Sequence, residues 1–185
     1  MKRHLAHLTI LCLLFSSSVV AEVADSGSNG FTIKTTLTIQ ASPEEVYRRL
    51  IRVGDWWDPT HTFSGDSHNL SLEEKPGGCF CEKQPNQGGV RHMQVVYVES
   101  GKTLRMIGGL GPLQSMAATG SMTIGLSSAG TGTKLELTYA VTGYAPGGMS
   151  NLAVPVDLVL TQQFTRLKNY VEHGDPATKP EAKPK

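Results

Sequence analysis

Apolar and polar residues alternate along most of this chain and fall at helical spacing in only two places. Phe31, Ile33, Thr35, Leu37 and Ile39 share one face of a run whose other face is mainly polar, the period of a half-buried strand. A short amphipathic helix follows, with Val46, Tyr47, Leu50 and Ile51 as its apolar stripe. Ser42 reads as its N-cap, Pro43 as its first helical residue and Glu45 as the partner in a capping box. Gly54 is placed to end it. Residues 55–61 read as an irregular segment or a broken second helix.

Strands are then expected at 69–73, 79–83, 90–98, 103–107, 115–126 and 133–142. Between them lie Pro76-Gly-Gly, residues 84–89, Ser100-Gly101, Gly108-Gly-Leu-Gly-Pro112 and residues 127–132. Turn signals at this spacing predict an antiparallel meander. Gly143-Tyr-Ala-Pro-Gly-Gly opens the last element, a long helix reaching Val171. Val156, Val159, Leu160, Phe164, Leu167, Tyr170 and Val171 fall on one of its faces, at 3.6-residue spacing. Pro155 either starts this helix or kinks its first turn. The pattern is that of an α+β domain: a curved antiparallel sheet wrapped around a closing helix. That architecture encloses a cavity, and the face from Val156 to Val171 is either one wall of it or a filled core.

The ends read differently. Lys2 and Arg3 precede an apolar run from Leu8 to Phe15, and Val19 and Ala21 are small enough to flank a cleavage site. Residues 1–21 are therefore expected to be a secretory signal peptide, the run being too short for a membrane span. Leu11 is too bulky to precede a lipidated Cys12. Periplasmic or secreted localisation follows, with no stable membrane insertion after cleavage. Residues 22–30 read as a polar leader, residues 31–173 as the domain, and residues 174–185, rich in Pro, Lys, Ala and Glu, as a disordered tail.

Charge and cysteine content narrow the partners. Removing Lys2 and Arg3 leaves 15 basic residues (17 − 2) against 16 acidic ones, a formal charge of −1. Near-neutrality excludes a nucleic-acid binder of the basic-stripe kind. The remaining 164 residues (22–185) suffice for one domain with its own core and a monomeric unit. Cys79 and Cys81 are too few for a disulfide framework. They point to one face of a strand, and a direct bridge is disfavoured at about 7 Å apart, near the upper limit. Pairing Lys83 with Val90 sets Cys81 opposite His92 and Cys79 opposite Gln94. A Cys81–His92 pair has the chemistry of a nucleophile with its base, a soft-metal site or a redox site; packing in the sheet explains the same residues.

The order of elements resembles the START-like, or SRPBCC, superfamily, which includes polyketide cyclases, lipid-transport proteins and Aha1-type domains. The matching stretches are Ala41-Ser-Pro-Glu-Glu-Val-Tyr, Asp55-Trp-Trp-Asp-Pro, Pro76-Gly-Gly-Cys-Phe and residues 90–104. Gly130-Thr-Gly-Thr-Lys-Leu-Glu-Leu-Thr-Tyr and the run from Gln162-Gln163 to Leu167-Lys168 complete the set. The resemblance covers residues 31–173 and implies a helix-grip fold, about seven strands gripping the last helix around an apolar cavity. It does not name a function, which has to come from the site.

The expected role is binding of a small apolar or amphipathic molecule; the alternative is a cyclase- or hydrolase-like enzyme using a cavity Cys or His. No cofactor is implied. One of Trp56 and Trp57 is expected to seal the core and the other to face the ligand. Met106 and Met116, adaptable in shape, join Leu160 and Phe164 of the closing helix as candidate lining. Gly108–Pro112 is expected at the cavity mouth, and Tyr144 lies on a second loop suited to gating entry. His61, Asp66 and His68 match no helix-based metal motif, so no metal is expected.

Overall fold

A computed structural model of the protein describes residues 19–177. The expected signal peptide lies outside these residues up to position 18, as does the expected tail from position 178. Eight strands form one antiparallel sheet: β1 (Val19–Gly27), β2 (Gly30–Ile39), β3 (Leu70–Leu72), β4 (Cys79–Lys83), β5 (Gly89–Glu99), β6 (Thr103–Gly108), β7 (Thr119–Ala129) and β8 (Gly132–Thr142). Their order across the sheet is β1-β2-β8-β7-β6-β5-β4-β3. Helix α1 (Pro43–Leu50) follows β2, and helix α2 (Ser150–His173) closes the chain.

The expected elements form close to their expected bounds. The strand beyond the expected seven is β1, which spans the last three residues of the expected signal peptide and most of the stretch read as a polar leader. From position 20 on, its half-buried side chains are Ala21 and Val23, too short an apolar pattern to register. It forms because β2 presents an open edge, and backbone groups there gain partners from any adjacent extended segment; Glu22 pairs with Lys34 and Val23 with Ile33.

Helix α1 starts as its sequence dictates. Ser42 Oγ accepts from the Glu45 amide at 3.3 Å, and Pro43 opens the helix. The Glu45 carboxylate turns to Arg48 and Arg49. Helix α2 runs through Pro155 and ends at Gly174, whose φ of 77° is left-handed, a geometry glycine adopts without strain. The core is filled by Ile33, Leu37, Leu104, Leu135, Leu137 and Tyr139 from the sheet, and by Leu160, Phe164 and Leu167 from α2.

The irregular stretch between α1 and β3 is fastened to α2 by polar contacts. The Asp58 amide donates to Gln163 Oε1 at 2.8 Å, Arg166 Nε to the Trp56 carbonyl at 2.9 Å, and Tyr170 OH to Asp55 at 2.8 Å. Gln163 is fully buried. These bonds hold the Trp56-Trp57 segment against the helix.

One expected register does not form. On β4, Cys79 lies opposite Gln94 as expected, and Phe80 opposite Met93, but Cys81 lies opposite Arg91. His92 is an extra residue on β5, a β-bulge. The same irregularity coincides with a Cys79–Cys81 Cα separation of 5.3 Å, and the two cysteines form a disulfide. A bridge that a regular strand disfavours is thus accommodated where the strand is not regular. Replacing both cysteines by serine should leave the fold intact and cost about 1–2 kcal/mol, because the closed loop holds only three residues. Denaturant unfolding of the oxidised protein and of the double variant checks this.

Candidate functional site

A cavity of about 520 Å³ opens at one end of the concave face of the sheet. Four parts of the chain wall it. Trp57 and residues 60–63 come from the stretch before β3, and Leu70, Phe80 and His92 from β3, β4 and β5. Leu110, Gly111, Pro112, Leu113 and Ser115 come from the loop after β6, and Leu152, Pro155, Val156, Val159 and Leu160 from α2. The lining is mostly apolar.

The α2 face serves both purposes that its sequence allowed. Its first half borders the cavity. Its second half is core: Phe164 packs on Trp56 with ring centroids 5.8 Å apart. Only about 20 Å³ remains open among Trp56, Met106, Met122 and Phe164.

Besides Thr60, His61, Thr62 and Ser115, the cavity wall carries His92, which is paired with the buried Glu82 behind it. His92 Nε2 lies 3.0 Å from Glu82 Oε2, and the two residues are 5% and 1% exposed. The bulge makes the pair. Strict alternation from the inward-facing Met93 would turn His92 outward, whereas the extra residue turns both inward. Glu82 shares the inner face of β4 with Phe80, since residues two apart point the same way. It also accepts from the Phe63 amide at 3.1 Å, from the Ser64 amide and from Gln84 Nε2 at 3.0 Å. Phe63 stacks on the His92 ring at 5.9 Å, and Phe80 packs beside it at 5.1 Å.

Burial acts to raise the Glu82 carboxyl. Hydrogen bonds from Ser64, the Phe63 amide and His92 outweigh that effect and hold it below the ordinary carboxylate value. Burial lowers His92 by more than the Glu82 carboxylate raises it. The pair is therefore a carboxylate beside a neutral imidazole. Among the described residues, several buried side-chain polar atoms have no partner; of these, His92 Nδ1 alone belongs to a residue lining the cavity.

The loop after β6 is fixed from below. Tyr139 OH donates to the Gly108 carbonyl at 3.0 Å, and burial pushes its pKa up to about 12. Gly108 lies opposite Met93 with φ 151°. A Cβ there would collide with the His92 carbonyl, so the bulge requires glycine at this position.

No family model and no curated protein matches the sequence. Solved structures do match. CalU16 from Micromonospora echinospora superposes with a TM-score of 0.56 at 16% identity, covering 90% of this chain and 89% of that one. The Aha1 dimer from Colwellia psychrerythraea gives 0.55 at 18% identity, covering 77% and 97%. The protein of unknown function EF2215 from Enterococcus faecalis gives 0.55 at 18% identity, covering 89% and 81%. The chain has the START-like, helix-grip fold.

Within that fold the expected site residues separate. Trp57 and Leu160 line the cavity, while Trp56, Met106 and Phe164 lie in the packed region beneath it. Both indole N–H groups are satisfied by the backbone: Trp56 donates to the Leu50 carbonyl and Trp57 to that of His61. Met116 packs against the core outside the lining, and Tyr144, 73% exposed, lies away from it.

The expected Cys81–His92 pair does not form. Cys81 is bonded to Cys79 on the opposite face of β4 from Phe80 and Glu82. Sequence reasoning missed Glu82, although its shared parity with Phe80 was a usable signal. His68 Nδ1 meets Asp66 at 2.9 Å in an exposed turn. Among the described residues, no group of three or more His, Cys, Asp or Glu side chains is placed to hold a metal ion.

Both shifts couple to stability in the same direction. As pH falls below 6.5, the unfolded His92 takes up a proton that the folded one still refuses. Below 4.5 the unfolded Glu82 protonates while the folded carboxylate stays ionised, so stability is lost progressively as pH drops to its folded value. Unfolding free energy measured against pH should therefore decline below 6.5 and further below 4.5. In His92→Phe the first decline should shrink; an unaltered decline would assign it to other groups.

Proposed function

We propose that the protein binds a small apolar or amphipathic molecule in this cavity, as an exported, monomeric ligand-binding domain. The observation that carries the proposal is an apolar-walled space of about 520 Å³, within the roughly 300–1,000 Å³ of small-molecule sites. Cores are ordinarily packed without voids of this size. The Cys form of the enzyme alternative loses its nucleophile, because both sulfurs are in a disulfide.

Export is supported by the basic and apolar pattern of residues 1–21 and by the Cys79–Cys81 bridge, which persists in an oxidising compartment. Cleavage after Ala21 leaves residues 22–27 to pair with β2. The mature protein should begin at Glu22 and be recovered outside the cytoplasm. An intact mass that retains residues 1–21 would overturn the export reading.

Protein purified from its native host should carry apolar molecules, seen by native mass spectrometry and by organic extraction. Val159→Trp places an indole in the cavity and should abolish that cargo while retaining a cooperative unfolding transition. Cargo that persists in Val159→Trp, or an empty native protein that no apolar molecule enters, would refute the cavity as the binding site.

A further inference from the structure

We propose that the cavity selects neutral apolar molecules bearing a hydrogen-bond-donating hydroxyl, which binds Nδ1 of His92. This rests on the cavity being the ligand site. A carboxylate is an acceptor only. With Glu82 Oε2 at 3.0 Å from His92 Nε2, that nitrogen carries the imidazole proton, and the tautomer is set by its partner. Nδ1 is then a lone pair, buried, without a partner, in a residue that lines the cavity. A buried acceptor left unpaired is unfavourable, and a donor arriving with the ligand removes that penalty.

The rest of the wall narrows the choice. Thr60 Oγ1 donates to Asp58, Thr62 Oγ1 to the Pro59 carbonyl and Ser115 Oγ to the Pro112 carbonyl, so these hydroxyl protons are committed. Glu82 already receives the Phe63 and Ser64 amides, Gln84 and His92. A ligand ammonium would meet no free anion among apolar side chains, which disfavours it. A ligand carboxylate would place a second anion beside Glu82, and an ether or ketone would set one acceptor against another. An alcohol or phenol on an apolar body meets the requirement of the buried His92 Nδ1; His61 also lines the cavity but is exposed to water. Phe63, 55% exposed, is stacked on the His92 ring.

Para-octylphenol and para-octylanisole have nearly the same shape and differ in the donor proton. Titration calorimetry on the native protein should find the phenol at least about tenfold tighter, the worth of one buried hydrogen bond. Nitrogen NMR of His92 should show the proton on Nε2. In Glu82→Gln the carboxamide oxygen at the Oε1 position still meets the Ser64 amide, while an NH2 group at the Oε2 position leaves the Phe63 amide without its acceptor, donates to Nε2 and moves the imidazole proton to Nδ1. The phenol preference should then collapse or reverse, which loss of packing alone would not produce. His92→Phe should bind both probes equally and serves if Glu82→Gln does not fold.

Equal affinities in the native protein, or a proton on Nδ1, would overturn the hydroxyl proposal and leave the cavity reading standing. So would a preference that survives in either variant. If neither probe produces heat or alters Trp57 fluorescence, the cavity reading fails with it.

Discussion

A carboxylate removed from water has to be met by donors, and the burial of Glu82 imposes that requirement on everything around it. Its oxygens take the Phe63 and Ser64 amides, the Gln84 amide group and His92 Nε2. Those donors come from three places: the stretch before β3, the end of β4 and the middle of β5. The stretch before β3 has to fold over the end of β4 to bring residues 63 and 64 to it. Strand β5 has to bulge to turn His92 inward beside Met93. The bulge in turn brings the backbone of β5 so close to β6 that only glycine fits at 108.

The cavity follows from the same set of constraints. The segment that satisfies Glu82 also supplies Trp57 and Phe63 to the wall, and it is fastened to α2 through Gln163, Arg166 and Tyr170. Below Trp57 the space is closed by Trp56 against Phe164. Above it, nothing large fills the gap between the first half of α2 and the loop after β6, which Tyr139 anchors. An apolar space with one oriented polar pair in its wall is an arrangement in which burial supplies affinity and one hydrogen bond supplies selectivity.

Much of this was legible in the chain. The two helices, the strands from β2 to β8 and their antiparallel order follow from periods of 3.6 and 2, from Ser42 with Pro43, and from glycine-bearing turns. Leu160 and the loop after β6 were expected near a cavity from the same patterns, and one of Trp56 and Trp57 from the family resemblance. The site was legible only in pieces: His92 was singled out, but toward Cys81. Glu82, whose parity with Phe80 pointed inward, gave no sign of what would pair with it.

Local periodicity determined which elements form and which face of each is apolar, because propensity, capping and alternation act within a few residues. Tertiary pairing decided the rest. Strand β1 exists because β2 offers an edge, although its own pattern is weak. Cys79 and Cys81 reach each other beside an irregular pairing of β4 with β5, whereas a regular strand would hold them apart. A single extra residue at a bulge reverses the face of every position beyond it. Whether one occurs depends on the match between two strands, which no single stretch of sequence contains. That is why the chain by itself disclosed a cavity, and only the folded sheet placed a histidine with a free nitrogen in its wall.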